Sequence, residues 1–489
     1  MTIYKAFEQA KNGSIIPVFQ DGRTMESRYN PERDASLLCQ SIHGHFDFFL
    51  VLGIGSGIFL NTLSQTFPEA RILALELYKD DLVFLRQSEL IKELEKNKAI
   101  KLLCLEELQE ALIQNYIPAK YGDLKIIEQR GWVSQNKAAI DLIQKTIKKA
   151  LGIISADYSV QSHFGKIWNF NILNNARLAQ TLNYTPKIDT EKTGLLVAAG
   201  PTLDKSLSIL KERDKYYVIS TDTGAQSLNK HGILPDVILS IDGQNVSCNH
   251  FINCPSVFYA FDLCADFSAA SHLAERGKNL SFFVSGHPLA NAINFSSGKP
   301  LPTLFSGAGS VTITALDFAV KAGFKEILIL GADFSYPEGK AYAKGTYLDA
   351  LYNEASSKLK PSETLFSKLL YRTPLIKNEG WPTTQILQAY KTSLENYLIS
   401  NDISFIKENE IYKLQVKKAP AKEANFFTKT GKDFSLSSFF EELKKSKIEE
   451  IESLLLPYTA WLRNENKDKN YSYSELLKLA FNDIVSYNG

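Results

Sequence analysis

The chain has 489 residues, 44% hydrophobic and 22% charged, an ordinary globular balance that predicts about three domains. Its 55 Lys and Arg against 54 Asp and Glu leave a formal net charge of +1, which excludes a strongly basic nucleic-acid wrapper and an acidic solvating tail. Five cysteines (Cys39, Cys104, Cys248, Cys254 and Cys264) without a CxxC pair argue against a disulfide scaffold and a structural zinc site, and predict reduced, buried thiols in the cytoplasm. The first twenty residues lack the apolar core of a signal peptide, and no long uninterrupted apolar stretch predicts a membrane span. No nucleic-acid partner is expected; an oligomer is compatible with the sequence.

In chain order, the apolar runs at 46–53 and 71–77 read as buried parallel strands, so 1–130 is expected to be a first α/β domain. Between them Gly53, Gly55 and Gly57 open a helix-like segment, and Glu76 ends the second run. Two readings stay open: a nucleoside-cofactor site, or a tight strand-to-helix turn without a ligand. The motif resembles the first motif of S-adenosylmethionine methyltransferases, but no (N/D)PP(Y/F) run follows it. Helical spacing of Ile140, Ile143 and Ile147, then of Phe164, Ile167 and Trp168, predicts a helical connector over 131–190.

Over 191–410 apolar runs recur at 195–199, 216–220, 236–241, 256–261, 280–285 and 326–331, with a last short one at 403–406. Turns and helix-like segments separate them, the pattern of a doubly wound sheet. The expected fold is thus α/β: two Rossmann-like parallel-sheet domains joined by helices. A C-terminal helical domain is expected over 411–489, on the stripes Ile448, Ile451, Leu454, Leu455 and Leu476, Leu477, Leu479, Ile484.

Ligands of such sheets bind beyond the carboxyl ends of the strands. Gly200-Pro201-Thr202 ends the first strand as a tight turn with Thr202 as helix N-cap, whether or not its N–H groups face an anion. Asp222 with Thr223, and Asp242, end the next two strands. They could be helix caps, ribose ligands, a general base or metal ligands. Gly309-Ser310 forms a small-residue loop before a helix, as a nucleotide phosphate would require. Asp333 opens a loop with Tyr336 and Tyr342, whose phenols could donate to a departing phosphate or merely pack.

The segments GLLVAAGPTL, ISTDTG, PDVILSIDG and GAGSVTITALDFAVKAGFKEILILGADFSY look like the motility-associated factor (Maf) family of flagellin glycosyltransferases. The trailing AYAKGTY and the helical FGKIWNFNILNNARLA also resemble that family. The tyrosine segment is similar to bacterial sialyltransferases that use CMP-sialic acid, in which two tyrosines stabilise the leaving phosphate without a metal. By that resemblance Tyr336 and Tyr342 take this role. Gly200, Pro201 and Thr202 match the donor turn, Gly309 and Ser310 the nucleotide loop, and Asp222, Thr223 and Asp333 fall in donor-binding segments. The implied function is transfer of a nonulosonic acid, pseudaminic or legionaminic in type, from a CMP-activated donor to Ser or Thr of flagellin, with no tightly bound cofactor.

Two positions depart from the sialyltransferase pattern: Ala199 stands where an asparagine precedes Gly-Pro, and no histidine follows His287. The general base stays open between Asp242, Asp222 and His287. The same region is similar to MptE-like 6-hydroxymethylpterin diphosphokinases, in which Asp222 and Asp242 would hold Mg²⁺ on ATP. A non-catalytic flagellin-binding factor is the remaining alternative.

Overall fold

The computed structural model describes residues 2–182, 184, 186–253, 255–297, 301–307, 309–376, 380–417, 436–469 and 471–487, without the side chains of 448 and 449. Cys254, Ala308, most of the lysine-rich loop before 436 and the Ile448 side chain lie outside these. The chain divides into two compact units, Met1–Gly165 with Leu456–Phe481, and Lys166–Leu455 with Asn482–Gly489.

The first unit opens with a hairpin that the apolar-run reading does not resolve: β1 (Tyr4–Gln9) pairs antiparallel with β2 (Ile15–Phe19). Its parallel sheet has the order β5-β4-β3-β6, from β3 (Phe48–Leu52), β4 (Arg71–Glu76), β5 (Ile100–Cys104) and β6 (Leu124–Glu128). All five residues of β3 are buried, because helices cover both faces. Leu60 and Leu63 of the helix Ile58–Thr66 pack on one face; Trp132, Ile143 and Ile147 pack on the other.

The expected connector is one long helix, Lys137–Thr181, which contributes residues to both units. Its second-unit part carries three buried asparagines, Asn169, Asn171 and Asn175, and the last two bond loops of the sheet. Asn171 Nδ2 donates to the Gly243 and Cys264 carbonyls, each at 3.0 Å, and its Oδ1 accepts from Phe267 N. Asn175 Nδ2 donates to the Leu263 and Ala265 carbonyls. Loops that leave the sheet are thereby satisfied by side chains rather than by water.

The second unit holds an eight-stranded sheet of order β11-β10-β9-β8-β7-β12-β14-β13. Its parallel strands are β7 (Thr193–Val197), β8 (Tyr216–Thr221), β9 (Val237–Ser240), β10 (Phe258–Asp262), β11 (Asn279–Phe283) and β12 (Glu326–Leu330). Each coincides with an apolar run. β13 (Ile403–Glu408) and β14 (Ile411–Val416) close one edge antiparallel. β14 is a correction, since the helical C-terminal region was expected to begin at 411. Tyr412, Leu414 and Val416 alternate with polar residues and join the core on one face only, so no apolar run marks the strand. Helices Leu436–Lys445, Ile448–Glu465 and Tyr473–Ser486 follow.

The sheet order fixes where a site can form. Strands are added outward from β7 to β11, and the chain then returns to β12 on the other flank of β7. The order reverses between β7 and β12, which opens a crevice at their carboxyl ends. The helix Val311–Ala322 enters from that rim and is buried along nearly its whole length.

Among the described residues no helix is long and apolar enough to cross a membrane. Cys39, Cys104 and Cys264 are buried free thiols, and Cys248 is half-buried. Asn171→Ala should strand three backbone groups and lower the stability of the second unit by about 2–4 kcal/mol. Chemical denaturation monitored in that unit measures this; an unchanged midpoint would contradict the stitching role.

Candidate active site

The first glycine motif is sealed by the protein itself. Glu76 is fully buried, and its Oε1 accepts from Ile54 N at 2.8 Å, Gly55 N at 3.3 Å and Tyr4 OH at 2.9 Å. Its Oε2 accepts from Trp132 Nε1 at 2.7 Å. Glu26 accepts from Ser56 N, and the Met25 side chain lies against Gly55, where any Cβ would collide with it. The N–H groups that could have faced a nucleoside face the chain's own carboxylates. Of the two readings of this motif, the geometry selects the tight turn. Burial pushes the Glu76 carboxyl up to about 7 and that of Glu26 up to about 6.

The crevice of the second unit is organised by Asp333, just beyond β12. Its Oδ2 accepts from Thr202 N at 2.9 Å, and its Oδ1 is bonded by the Thr202 hydroxyl. Gly200 N donates to the Gly331 carbonyl at 2.8 Å. A Cβ on Gly200 would collide with that carbonyl and lie 2.6 Å from Asp333 Oδ2, so only glycine permits this approach. Thr202 stands at the N-terminus of the helix Leu203–Ser206 but makes no side-chain cap; its hydroxyl donates to Asp333 instead. The N–H groups of 200 and 202 are likewise taken internally, so Gly200-Pro201-Thr202 shapes the crevice wall without offering those two donors.

The tyrosine loop is fastened to the same turn. Ala343 N donates to the Ala199 carbonyl at 2.9 Å, and Lys344 N to Asp204 Oδ1 at 3.0 Å. Tyr336 N donates to the Pro382 carbonyl at 2.8 Å, and the Tyr336 and Thr384 side chains are hydrogen-bonded. Phe334 and Glu338 both take positive φ (51° and 54°), strain that the surrounding hydrogen bonds hold in place. Burial raises the Tyr342 hydroxyl pKa, and the nearby Tyr336 and Asp222 raise it further. Burial also raises that of Tyr336. Both phenols therefore remain donors at neutral pH.

Asp222 opens the helix Asp222–Lys230, which Thr221 caps. Its Oδ1 accepts from Thr223 N at 2.7 Å and from Thr223 Oγ1 at 3.2 Å, and its Oδ2 from Ser240 Oγ at 2.7 Å. Both oxygens are thus engaged. Asp242 is less committed. Its Oδ1 accepts from Gln244 N at 2.9 Å. Burial raises its pKa, the Gln244 N–H and His250 lower it, and Asp222 raises it again. Tyr390, on the helix Gln385–Ser400, faces the Asp242 charge. Ser310 and the exposed Gly309 stand at the N-terminus of the helix Val311–Ala322, with both N–H groups bonded to the Ser306 carbonyl.

His287 stands apart from this group. It caps the helix Pro288–Ser296, with Nδ1 accepting from Leu289 N at 3.2 Å. It follows β11, four strands from β7, about 19 Å across the sheet at the usual strand spacing. Burial lowers its pKa to about 4, and Trp168 packs edge-on at 5.5 Å. Among the described residues no three His, Cys, Asp or Glu side chains converge as a metal cluster. The sequence reading does not name Tyr390, because nothing in the spacing of its helix marks it.

The sealed loop yields a pH prediction. Glu76 and Glu26 hold their protons more tightly folded than unfolded, so their contribution to stability is full below about pH 4.5. It is lost as pH rises through about 6 and 7. The first unit should resist denaturant better at the acid end of that window. Glu76→Gln should flatten the slope and lower stability throughout, because its amide must face a donor. An unaltered slope in the variant would contradict the assignment.

A family model described as 6-hydroxymethylpterin diphosphokinase MptE-like matches residues 169–339. A protein of Treponema pallidum (strain Nichols), described as uncharacterized, is 34% identical over 151 residues, which cover 30% of this chain and 71% of that protein. A second from the same organism, also described as uncharacterized, is 29% identical over 232 residues, 46% of this chain and 75% of its own length. Among solved structures, a Maf glycosyltransferase from Magnetospirillum magneticum AMB-1 aligns with a TM-score of 0.48 at 11% identity. That alignment covers 100% of this chain and 86% of the other. The chain belongs to one family with the 34%-identical Treponema pallidum protein, and its central region carries an MptE-like domain.

Proposed function

We propose that the protein is a glycosyltransferase that moves a nonulosonic acid, pseudaminic or legionaminic in type, from a CMP-activated donor to Ser or Thr hydroxyls of flagellin. The observation that carries this reading is the fastening of the tyrosine loop to the Gly-Pro-Thr turn at the sheet crevice, with Ala343 N bonded to the Ala199 carbonyl and Lys344 N to Asp204 Oδ1. The anomeric carbon reacts through an oxocarbenium-like state as the phosphate departs. The enzyme must meet charge growing on that phosphate and remove a proton from the acceptor. Two protonated phenols in a partly buried crevice supply the first requirement, since a hydrogen bond to a charged group contributes about 1.5–3 kcal/mol. The nucleotide would lie between the tyrosine loop and the Gly309-Ser310 loop, with Asp222, Thr223 and Asp333 shaping its seat. In this reading the reaction takes place in the cytoplasm and flagellin is the protein partner.

The family-model match favours a second reading, pyrophosphate transfer from ATP with Mg²⁺. Asp242 and Asp222 would then hold the metal, and one or two carboxylates can suffice when phosphates complete the shell. Asp222 is a poor ligand here, because Thr223 and Ser240 already use both of its oxygens.

Calorimetric titration with CMP and with Mg²⁺-ATP separates the two readings: the glycosyltransferase binds CMP without metal. Tyr342→Phe should slow transfer roughly 10- to 150-fold with the fold intact. Intact-mass analysis of flagellin treated with each form measures that rate, and wild-type turnover by the variant would remove the proposed role.

A further inference from the structure

The tyrosine loop bends where an L residue rarely goes. Phe334 takes φ 51°, a conformation that costs energy and persists only where the surroundings hold it. On one side it follows Asp333, which is bonded to Thr202, and its side chain packs against the core. On the other side lies Pro382-Thr383-Thr384, a segment that the glycine and tyrosine motifs do not include. The Thr383 hydroxyl donates to the Phe334 carbonyl at 2.8 Å, and Tyr336 N donates to the Pro382 carbonyl at 2.8 Å. Thr383 is buried, and its backbone is spent on Ile376: its N–H donates to the Ile376 carbonyl at 3.1 Å, and its carbonyl accepts from Ile376 N at 2.8 Å. The hydroxyl is thereby left to reach across to the bend. The segment has a firm base, because it runs directly into the helix Gln385–Ser400. Thr384 Oγ1 caps that helix by accepting from Leu387 N at 3.3 Å. Leu394 and Leu398 seat the helix in the core, and Tyr397 OH donates to Asp317 Oδ1 at 2.6 Å.

We propose that Thr383 is a positioning residue for transfer, whose hydroxyl fixes the bend at Phe334 and with it the direction of Tyr336; this rests on the glycosyltransferase reading above. A donor to the departing phosphate must meet the oxygen on which charge grows, and a small misplacement weakens it steeply. Residues 334–336 belong to no helix or strand, so the direction of Tyr336 comes from the bonds that hold this stretch. Two of them, at the Phe334 carbonyl and at Tyr336 N, come from Thr383 and Pro382. Without the Thr383 hydroxyl the Phe334 carbonyl loses its partner, and the bend can relax toward ordinary negative φ, turning the residues after it. A valine keeps the branched shape at 383 and removes the hydroxyl; a serine keeps the hydroxyl. Thr383 acts through Tyr336 and not on the substrate.

The test uses the full chain, with CMP-pseudaminic and CMP-legionaminic acids as donors and flagellin as acceptor. Thr383→Val should lower kcat about 5- to 100-fold and leave KM for flagellin unchanged. Thr383→Ser should transfer within about 2-fold of wild type, because the bond to Phe334 survives. A double-mutant cycle with Tyr336→Phe decides the mechanism. Once the phenol hydroxyl is gone, adding Thr383→Val should cost less than about 2-fold more, whereas a merely structural residue costs the same factor in both backgrounds. Should Thr383→Val not fold, Thr383→Ala enters the same cycle. Wild-type transfer by the variant without the hydroxyl, an equal loss in Thr383→Ser, or the full loss recurring on top of Tyr336→Phe overturns the positioning and leaves the glycosyltransferase reading standing. Failure of the wild-type protein to use either donor overturns the reading, and the positioning with it.

Discussion

The bond between the Asp333 carboxylate and the Thr202 backbone N–H and hydroxyl holds the two halves of the crevice together. Thr202 follows β7 and Asp333 follows β12, the two strands between which the sheet reverses its order. A parallel sheet leaves its strand ends unpaired at such a point, and loops there would otherwise splay. Here one carboxylate spans the gap, and the glycine at 200 lets the Gly331 carbonyl come close enough to accept a second bond. The tyrosine loop grows out of Asp333 and returns to Ala199, so its phenols inherit their position from that contact.

The two units show the same local chemistry with opposite outcomes. In each, a glycine-containing turn follows a strand, and a carboxylate bonds its N–H groups. In the first unit Glu76 and Glu26 fill the space above the turn, and Met25 occupies the approach to Gly55. In the second, Asp333 braces the turn from the side and leaves the rim to partly buried tyrosines and Asp242. A glycine motif alone therefore does not report a ligand; the residues that reach its N–H groups from elsewhere in the chain decide.

That distinction explains how far the sequence could be read. Six apolar runs give the six parallel strands of the larger sheet, because a strand buried on both faces needs apolar residues throughout. β14 escaped, since only Tyr412, Leu414 and Val416 face the core. Strand-end residues such as Asp222, Asp242 and Asp333 were legible by position, because the topology sends every strand end to one rim. Their partners were not. Nothing in the spacing says that Thr202 spends its hydroxyl on Asp333, that Glu26 closes the first loop, or that His287 caps a helix. Those facts depend on contacts between residues distant in the chain.

The central claim is that a cytidine monophosphate sits in the crevice between β7 and β12, with its phosphate on the tyrosine loop. A crystal structure of the protein soaked with CMP tests it most directly. The account predicts density for the phosphate within hydrogen-bond reach of the Tyr342 and Tyr336 hydroxyls, with the first unit's glycine turn still occupied by Glu76 and Glu26. CMP bound at that turn instead, or a phosphate on Asp242 with the tyrosines untouched, would contradict it.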